Sequence, residues 1–153
     1  MEFVFNEWFL DWHRPAATKE EKRNVRRIFE WLLANEHRLV VLADSPFTQK
    51  LHNYRRLFSS GFTGAALKEF ISAILLNSKK CRLLEMPPDL TADIIEKLTI
   101  GNFASDYYLF ESAETTEEKV IVTTDTKLIK HFEDNGRFQL WSVEDFLSKI
   151  VIQ

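Results

Sequence analysis

Short apolar runs alternate along this chain with longer segments in which apolar residues recur every three or four positions. No other feature of the sequence constrains the fold as strongly. Glu2 to Asn6, Arg38 to Ala43, Cys81 to Met86, Lys119 to Thr123 and Arg137 to Trp141 read as strands. Leu39-Val40-Val41-Leu42 is apolar at every position, the character of a strand covered on both faces. Between the runs, Thr18 to Asn35 places Val25, Ile28, Phe29 and Leu32 on one helical stripe. Ser45 before Pro46 predicts an N-cap with proline at the first helical position, ahead of the stripe Phe47, Leu51, Tyr54 and Phe58. Gly61 breaks that helix, and Leu67, Phe70, Ile71 and Ile74 carry the next to about Ser78. Pro87-Pro88 stops the third strand, and Thr91 to Thr99 forms a short helix expected to close on a left-handed Gly101. Ser105 opens a helix through Leu109, Phe110 and Ala113. Thr124-Asp125 turns the fourth strand into a helix with Leu128, Ile129 and Phe132, and Ser142 caps a last helix carrying Val143, Phe146, Leu147 and Ile150. Strands alternating with helices dictate an α/β fold with a central, mainly parallel five-stranded sheet between two helical layers.

The 153 residues suit a single domain, 1–153, and 45% hydrophobic content with 13 phenylalanines supplies its core. Cys81 is the single cysteine, so no internal disulfide forms, and a buried structural role is expected for it. The chain starts without the basic, then apolar pattern of a secretory signal, and no run is long enough to span a bilayer, so a soluble cytoplasmic protein is expected. A net charge of −3 gives no global attraction to nucleic acid, and any such contact must be local. Lys19, Lys22, Arg23, Arg26 and Arg27 form a basic face on the first long helix, which Arg55 and Arg56 extend if the helices are neighbours. That face suits RNA phosphates or an acidic partner, and otherwise is simply solvated. Trp8 and Trp12 offer either a stacking platform for bases or core packing. The four histidines, His13, His37, His52 and His131, are expected to be solvated, with His52 the one to watch for a site role.

Ligands in parallel sheets bind beyond the carboxyl ends of strands, where strand order reverses. There the sequence places Asn6, Glu7, Asp11, Asp44 and Asp125, with Asp106 opening the helix before the fourth strand. No nucleotide-binding glycine motif, serine elbow or zinc-spaced His/Cys pair accompanies them. Carboxylates are hard oxygen ligands suited to Mg²⁺ or Mn²⁺, although an aspartate before a helix can equally be a plain N-cap.

Asp106-Tyr-Tyr-Leu-Phe-Glu-Ser-Ala113, followed by Val120-Ile-Val-Thr-Thr-Asp125-Thr-Lys-Leu-Ile129, resembles the C-terminal half of PIN-domain proteins. Phe138-Gln-Leu-Trp-Ser-Val-Glu-Asp-Phe-Leu147 is similar to the family's closing strand and helix, and Leu83-Leu-Glu-Met-Pro-Pro88 to the strand leading into that half. The resemblance is specific from about Cys81 and follows element order before it. It implies a PIN-like three-layer α/β/α fold and a metal-dependent ribonuclease, a hydrolase of RNA phosphodiesters of the kind found among toxin–antitoxin toxins. It also implies possible dimerisation or binding of an antitoxin or other protein. Asp106 and Asp125 would hold Mg²⁺ or Mn²⁺, with Thr124 or Thr123 in support. Where the family has its first acid this chain has Asn6, and Asn53 aligns with the second. Glu7, Asp11 or Asp44 could supply a replacement carboxylate, with Asn6 a neutral donor. The alternative is a catalytically degenerate PIN domain that binds RNA or protein without cutting.

Overall fold

A computed structural model describes residues 1–151. Its strands, β1 (Glu2–Phe5), β2 (Arg38–Leu42), β3 (Cys81–Leu84), β4 (Val120–Thr123) and β5 (Gln139–Ser142), form one sheet in the order β3-β2-β1-β4-β5. Every pairing is parallel. Each crossover is helical: α1 (Trp8–Asp11) and α2 (Lys19–Ala34) precede β2, and α3 (Pro46–Leu57) and α4 (Gly61–Phe70) precede β3. α5 (Ala92–Ile100) and α6 (Tyr107–Glu114) precede β4, α7 (Thr126–His131) precedes β5, and α8 (Val143–Phe146) follows it. The result is the three-layer α/β/α arrangement, with the sheet wholly rather than mainly parallel. No helix among the described residues is long and apolar enough to cross a membrane.

Local sequence sets the helix starts. Thr18 and Glu21 close a reciprocal capping box at α2, and Ser45 and Thr48 do the same at α3, directly ahead of Pro46. The centre of the core is aromatic. Phe3, Phe5 and Phe146 pack edge to face, and Phe110 of α6 sits between Phe132 and Phe138. At the amino ends of the strands, Glu2 of β1 pairs with its register partner Arg38 at 2.8 Å and with both donors of Arg82 at 3.0 Å. Burial works to raise the Glu2 pKa, but the two guanidiniums outweigh it and hold the carboxyl below its usual range. One carboxylate thereby joins three adjacent strands. Cys81 is buried at the start of β3, where burial pushes its thiol up to about 12, so it is structural as expected.

Several boundaries differ from the sequence expectation. α4 runs on as a π-helical turn, Ile71–Leu75, and stops short of Ser78. Lys119 adopts φ 56° and stands outside β4. Ser105 lies in a short 3₁₀ turn, Ala104–Asp106, ahead of α6. Gly101 is not left-handed: its φ is −77°, and Asn102 takes the positive φ, 59°. Glycine is needed at 101 for space, because a Cβ there would come within 2.5 Å of the Phe103 ring and 2.8 Å of His131 Nε2. Gly101→Ala should therefore destabilise the fold by about 1–3 kcal/mol, the usual cost of overpacking. Urea melts read the effect, and an unchanged midpoint would show that Phe103 moves aside freely.

Candidate functional site

Strand order reverses between β1 and β4, so the chain ends leaving these two strands lie side by side. β1 stops at Phe5, and the chain turns into α1 with Glu7 as its N-cap residue. Asn6 clamps the turn. Its Oδ1 accepts from the Trp8 N–H at 3.1 Å, and its Nδ2 donates to Thr123 Oγ1 at 3.0 Å. Thr123, fully buried, accepts a second bond from the Asp125 N–H at 3.1 Å. Asn6 thus joins the two strand ends, with a hydrogen bond on its amide oxygen and another from its amide nitrogen. Thr123 carries the supporting bond. Thr124, the other candidate, is exposed and its hydroxyl makes no hydrogen bond among the described residues.

Three carboxylates gather on this edge. Asp125 caps α7, its Oδ1 accepting from the N–H groups of Lys127 and Leu128 at 3.1 Å each. The plain N-cap reading of this residue is therefore correct as far as it goes, and Oδ2 remains for other work. Asp106 precedes α6 without capping it. Burial pushes its carboxyl up to about 6, and the nearby charges of Asp125 and Glu7 add to the rise. Tyr108, two residues on, is 6% exposed, and its hydroxyl has no hydrogen-bond partner among the described residues. Burial raises its pKa, with contributions from Glu7, Asp106 and Asp11. Glu7 is thus close to the phenol, yet the donor–acceptor geometry of a bond between them is not met. Asp106, Asp125 and Glu7 are legible in the sequence as candidates, whereas nothing in the sequence marks Tyr108, whose place beside them depends on the fold.

The raised Asp106 pKa fixes a pH dependence. A carboxyl near 6 when folded, against about 3.9 in an unfolded chain, binds its proton more readily in the folded state. Stability is then lost as pH rises from about 4 through 6, opposite to the behaviour of a salt-bridged acid. Asp106→Asn, measured without metal at neutral pH, should be more stable than wild type by about 1 kcal/mol after allowance for solvent screening. That corresponds to roughly 2–4 °C in Tm. Near pH 4 the two proteins should melt together, and a persistent gap there would contradict the assignment.

Asp11 lies on the same rim but is engaged by α3. Lys50 Nζ approaches its two oxygens at 3.1 and 3.3 Å, and Tyr54 donates to Oδ1 at 2.5 Å. Burial and this bond push the Tyr54 phenol up to about 12. Lys50 and Tyr54, four residues apart, are therefore the α3 side chains that reach the site. Asn53 is exposed and accepts from Arg56 instead, so its alignment with the family's second acid does not place it at the rim. Asp44 is also exposed and forms no ion pair among the described residues.

The basic residues border two clefts on opposite sides of α4, not one patch. Lys19, Lys22, Arg23 and Arg26 line a cleft of about 330 Å³ floored by Trp12 and Phe29, with exposed Phe62 at its edge. Arg26 is spent on Glu30 and Glu69, at 3.1 and 3.2 Å. Arg27 is exposed outside this cleft, while Arg55 and Arg56 line a second cleft with His52 and Lys68. Trp8 is core, its indole N–H bound to the Val122 carbonyl at 2.8 Å, whereas Trp12 is half-buried. Of the histidines only His52 is exposed. His13 bonds the Phe9 carbonyl, and burial lowers its pKa. His37 stacks on Trp31 at 4.6 Å, and His131 bonds the Lys97 carbonyl at 2.7 Å. Half-buried rings with backbone or aromatic partners replace the expected solvated ones.

Among the described residues no three His, Cys, Asp or Glu side chains stand close enough together, as they are placed, to hold a metal ion. The donor chemistry nevertheless fits one. Asp106 and Asp125 supply hard oxygens, Glu7 lies near Asp106, and the unpartnered Tyr108 hydroxyl is buried beside them. Fold and site together define an α/β/α protein with an acidic rim at the switch point of a parallel sheet. No protein-family model and no curated protein matches the chain.

Proposed function

We propose that this chain is a PIN-type ribonuclease that uses Mg²⁺ or Mn²⁺ to hydrolyse RNA phosphodiesters in the cytoplasm. The observation that carries the reading is the Asp106 carboxyl. It is half-buried among like charges at the sheet's switch point and raised to about 6, an arrangement that costs stability unless a cation joins it. Asp106 and Asp125 would hold the metal, with Glu7 the nearest further carboxylate. A bound divalent ion there lowers the pKa of a coordinated water and offsets charge on the phosphate. The protein's own part is orientation: the Asn6–Thr123–Asp125 hydrogen bonds fix the strand ends, and the start of α6 sets Asp106, just before the helix, beside Tyr108 in its first turn. The cleft lined by Trp12, Lys22 and Arg23 supports single-stranded RNA as substrate, since aromatic faces stack bases while cations track phosphates.

A second reading is favoured by the engagement of Asn6 and by Lys50 beside Asp11. It is a PIN-like domain that binds RNA, an antitoxin or another protein without cutting. Melting in EDTA and then with millimolar Mn²⁺ separates the two. A metal ion that binds only the folded chain raises stability by about 2.7 kcal/mol at a hundredfold excess over Kd. A melt unmoved by Mn²⁺ favours the binding module.

A further inference from the structure

Lys50 of α3 brings a positive charge into the carboxylate rim. Its ammonium lies 3.1 and 3.3 Å from the Asp11 oxygens and 3.9 Å from Glu7 Oε2, with its side chain 30% exposed. Asp11 is doubly held, because Tyr54 also donates to it. Glu7 is not, since 3.9 Å is beyond hydrogen-bond length. The same Glu7 carboxylate lies near Asp106 and near the hydroxyl of Tyr108, a residue only 6% exposed whose hydroxyl has no hydrogen-bond partner among the described residues. A buried hydroxyl left without a partner is costly and points to a group that completes it when a ligand is bound. Glu7 thus faces the Lys50 ammonium on one side and lies near the Asp106 carboxyl on the other.

We propose that Lys50 is a tethered competitor for the divalent cation: its ammonium draws Glu7 toward the Asp11 side of the rim and so sets the metal affinity of the Asp106–Asp125 position. This rests on the metal reading above and adds a positioning residue to it. A carboxylate shared between an ammonium and a metal is less available to the metal. Removing that charge frees Glu7 to turn toward Asp106 and toward the Tyr108 hydroxyl. Asp11 keeps its bond from Tyr54.

Calorimetric titration with Mn²⁺ of wild type, Lys50→Met, Lys50→Arg and Asp125→Asn tests this, with melts in EDTA confirming that each is folded. Lys50→Met should bind about tenfold more tightly than wild type, the size expected for removing one partly screened unit charge near a cation. Lys50→Arg, which keeps the charge, should stay near wild type. If Lys50→Met melts below the titration temperature, Lys50→Gln takes its place with the same expectation. Equal affinity of wild type and the neutral variant, with binding lost in Asp125→Asn, overturns the role of Lys50 and leaves the metal site standing. No Mn²⁺ binding by any of the proteins overturns the metal reading and this inference with it.

Discussion

Asp125→Asn should fold like wild type, lose its Mn²⁺-dependent rise in melting temperature and cut RNA at least about 100-fold more slowly, since even outer-shell changes at metal sites cost about 10–100-fold. Asparagine is chosen over alanine for a structural reason. The Asp125 carboxylate caps α7 through the Lys127 and Leu128 N–H groups. Asparagine is as good an N-cap as aspartate, whereas alanine would cost about 1 kcal/mol and confuse lost metal with lost helix. What asparagine removes is the negative charge that the proposed metal site needs beside Asp106. Melting curves in EDTA and in Mn²⁺, run beside the cleavage assay, check both halves. An Asp125→Asn protein that retained its Mn²⁺ response would place the metal elsewhere.

The largest expected loss of stability comes from Phe110→Ala. Phe110 is fully buried on α6, with ring centroids 4.5 Å from Phe132 and 5.0 Å from Phe138. Its removal takes away contacts to the segments on both sides of the α7–β5 connection and opens a cavity under the helix that packs on β1, β2 and β4. Phe→Ala at such a site costs about 3–5 kcal/mol. Domains have only about 5–15 kcal/mol in total. At this chain length a loss of that size lowers Tm by roughly 10 °C. The same helix carries Tyr108 and begins directly after Asp106, so the substitution should also weaken metal binding in the protein that remains folded. A chemical melt measures the first effect. A loss under about 1 kcal/mol would mean the neighbouring rings collapse into the space.

The elements legible in the sequence are those whose signals are local. Ser45-Pro46 and the Thr18–Glu21 box mark their helix starts because cap and partner lie within one turn of each other. The apolar run of β2 reads as a doubly covered strand because that burial acts on every residue in it. Signals that depend on distant packing were not legible. Gly101 carries the usual mark of a left-handed helix end, but what requires glycine is the ring of Phe103 and the imidazole of His131. At the site, strand alternation would have turned Glu7 away from Asn6. The chain leaves the strand at Phe5 and enters α1, so alternation no longer applies, and Glu7 comes near Asp106. Asn53 aligned with an acid position by spacing alone, whereas the rotation of α3 presents Lys50 and Tyr54 to the rim. A lysine four residues before a tyrosine is common on helix surfaces, and only the fold brings that pair to Asp11.

The most direct test of the proposed function is incubation of the purified chain with an end-labelled single-stranded RNA, in Mn²⁺ and in EDTA, beside Asp125→Asn. Wild type should give fragments in Mn²⁺ and leave the RNA intact in EDTA, and the variant should leave it near-intact under both conditions. RNA left whole by wild type in Mn²⁺, or cut as well in EDTA or by Asp125→Asn, would contradict it.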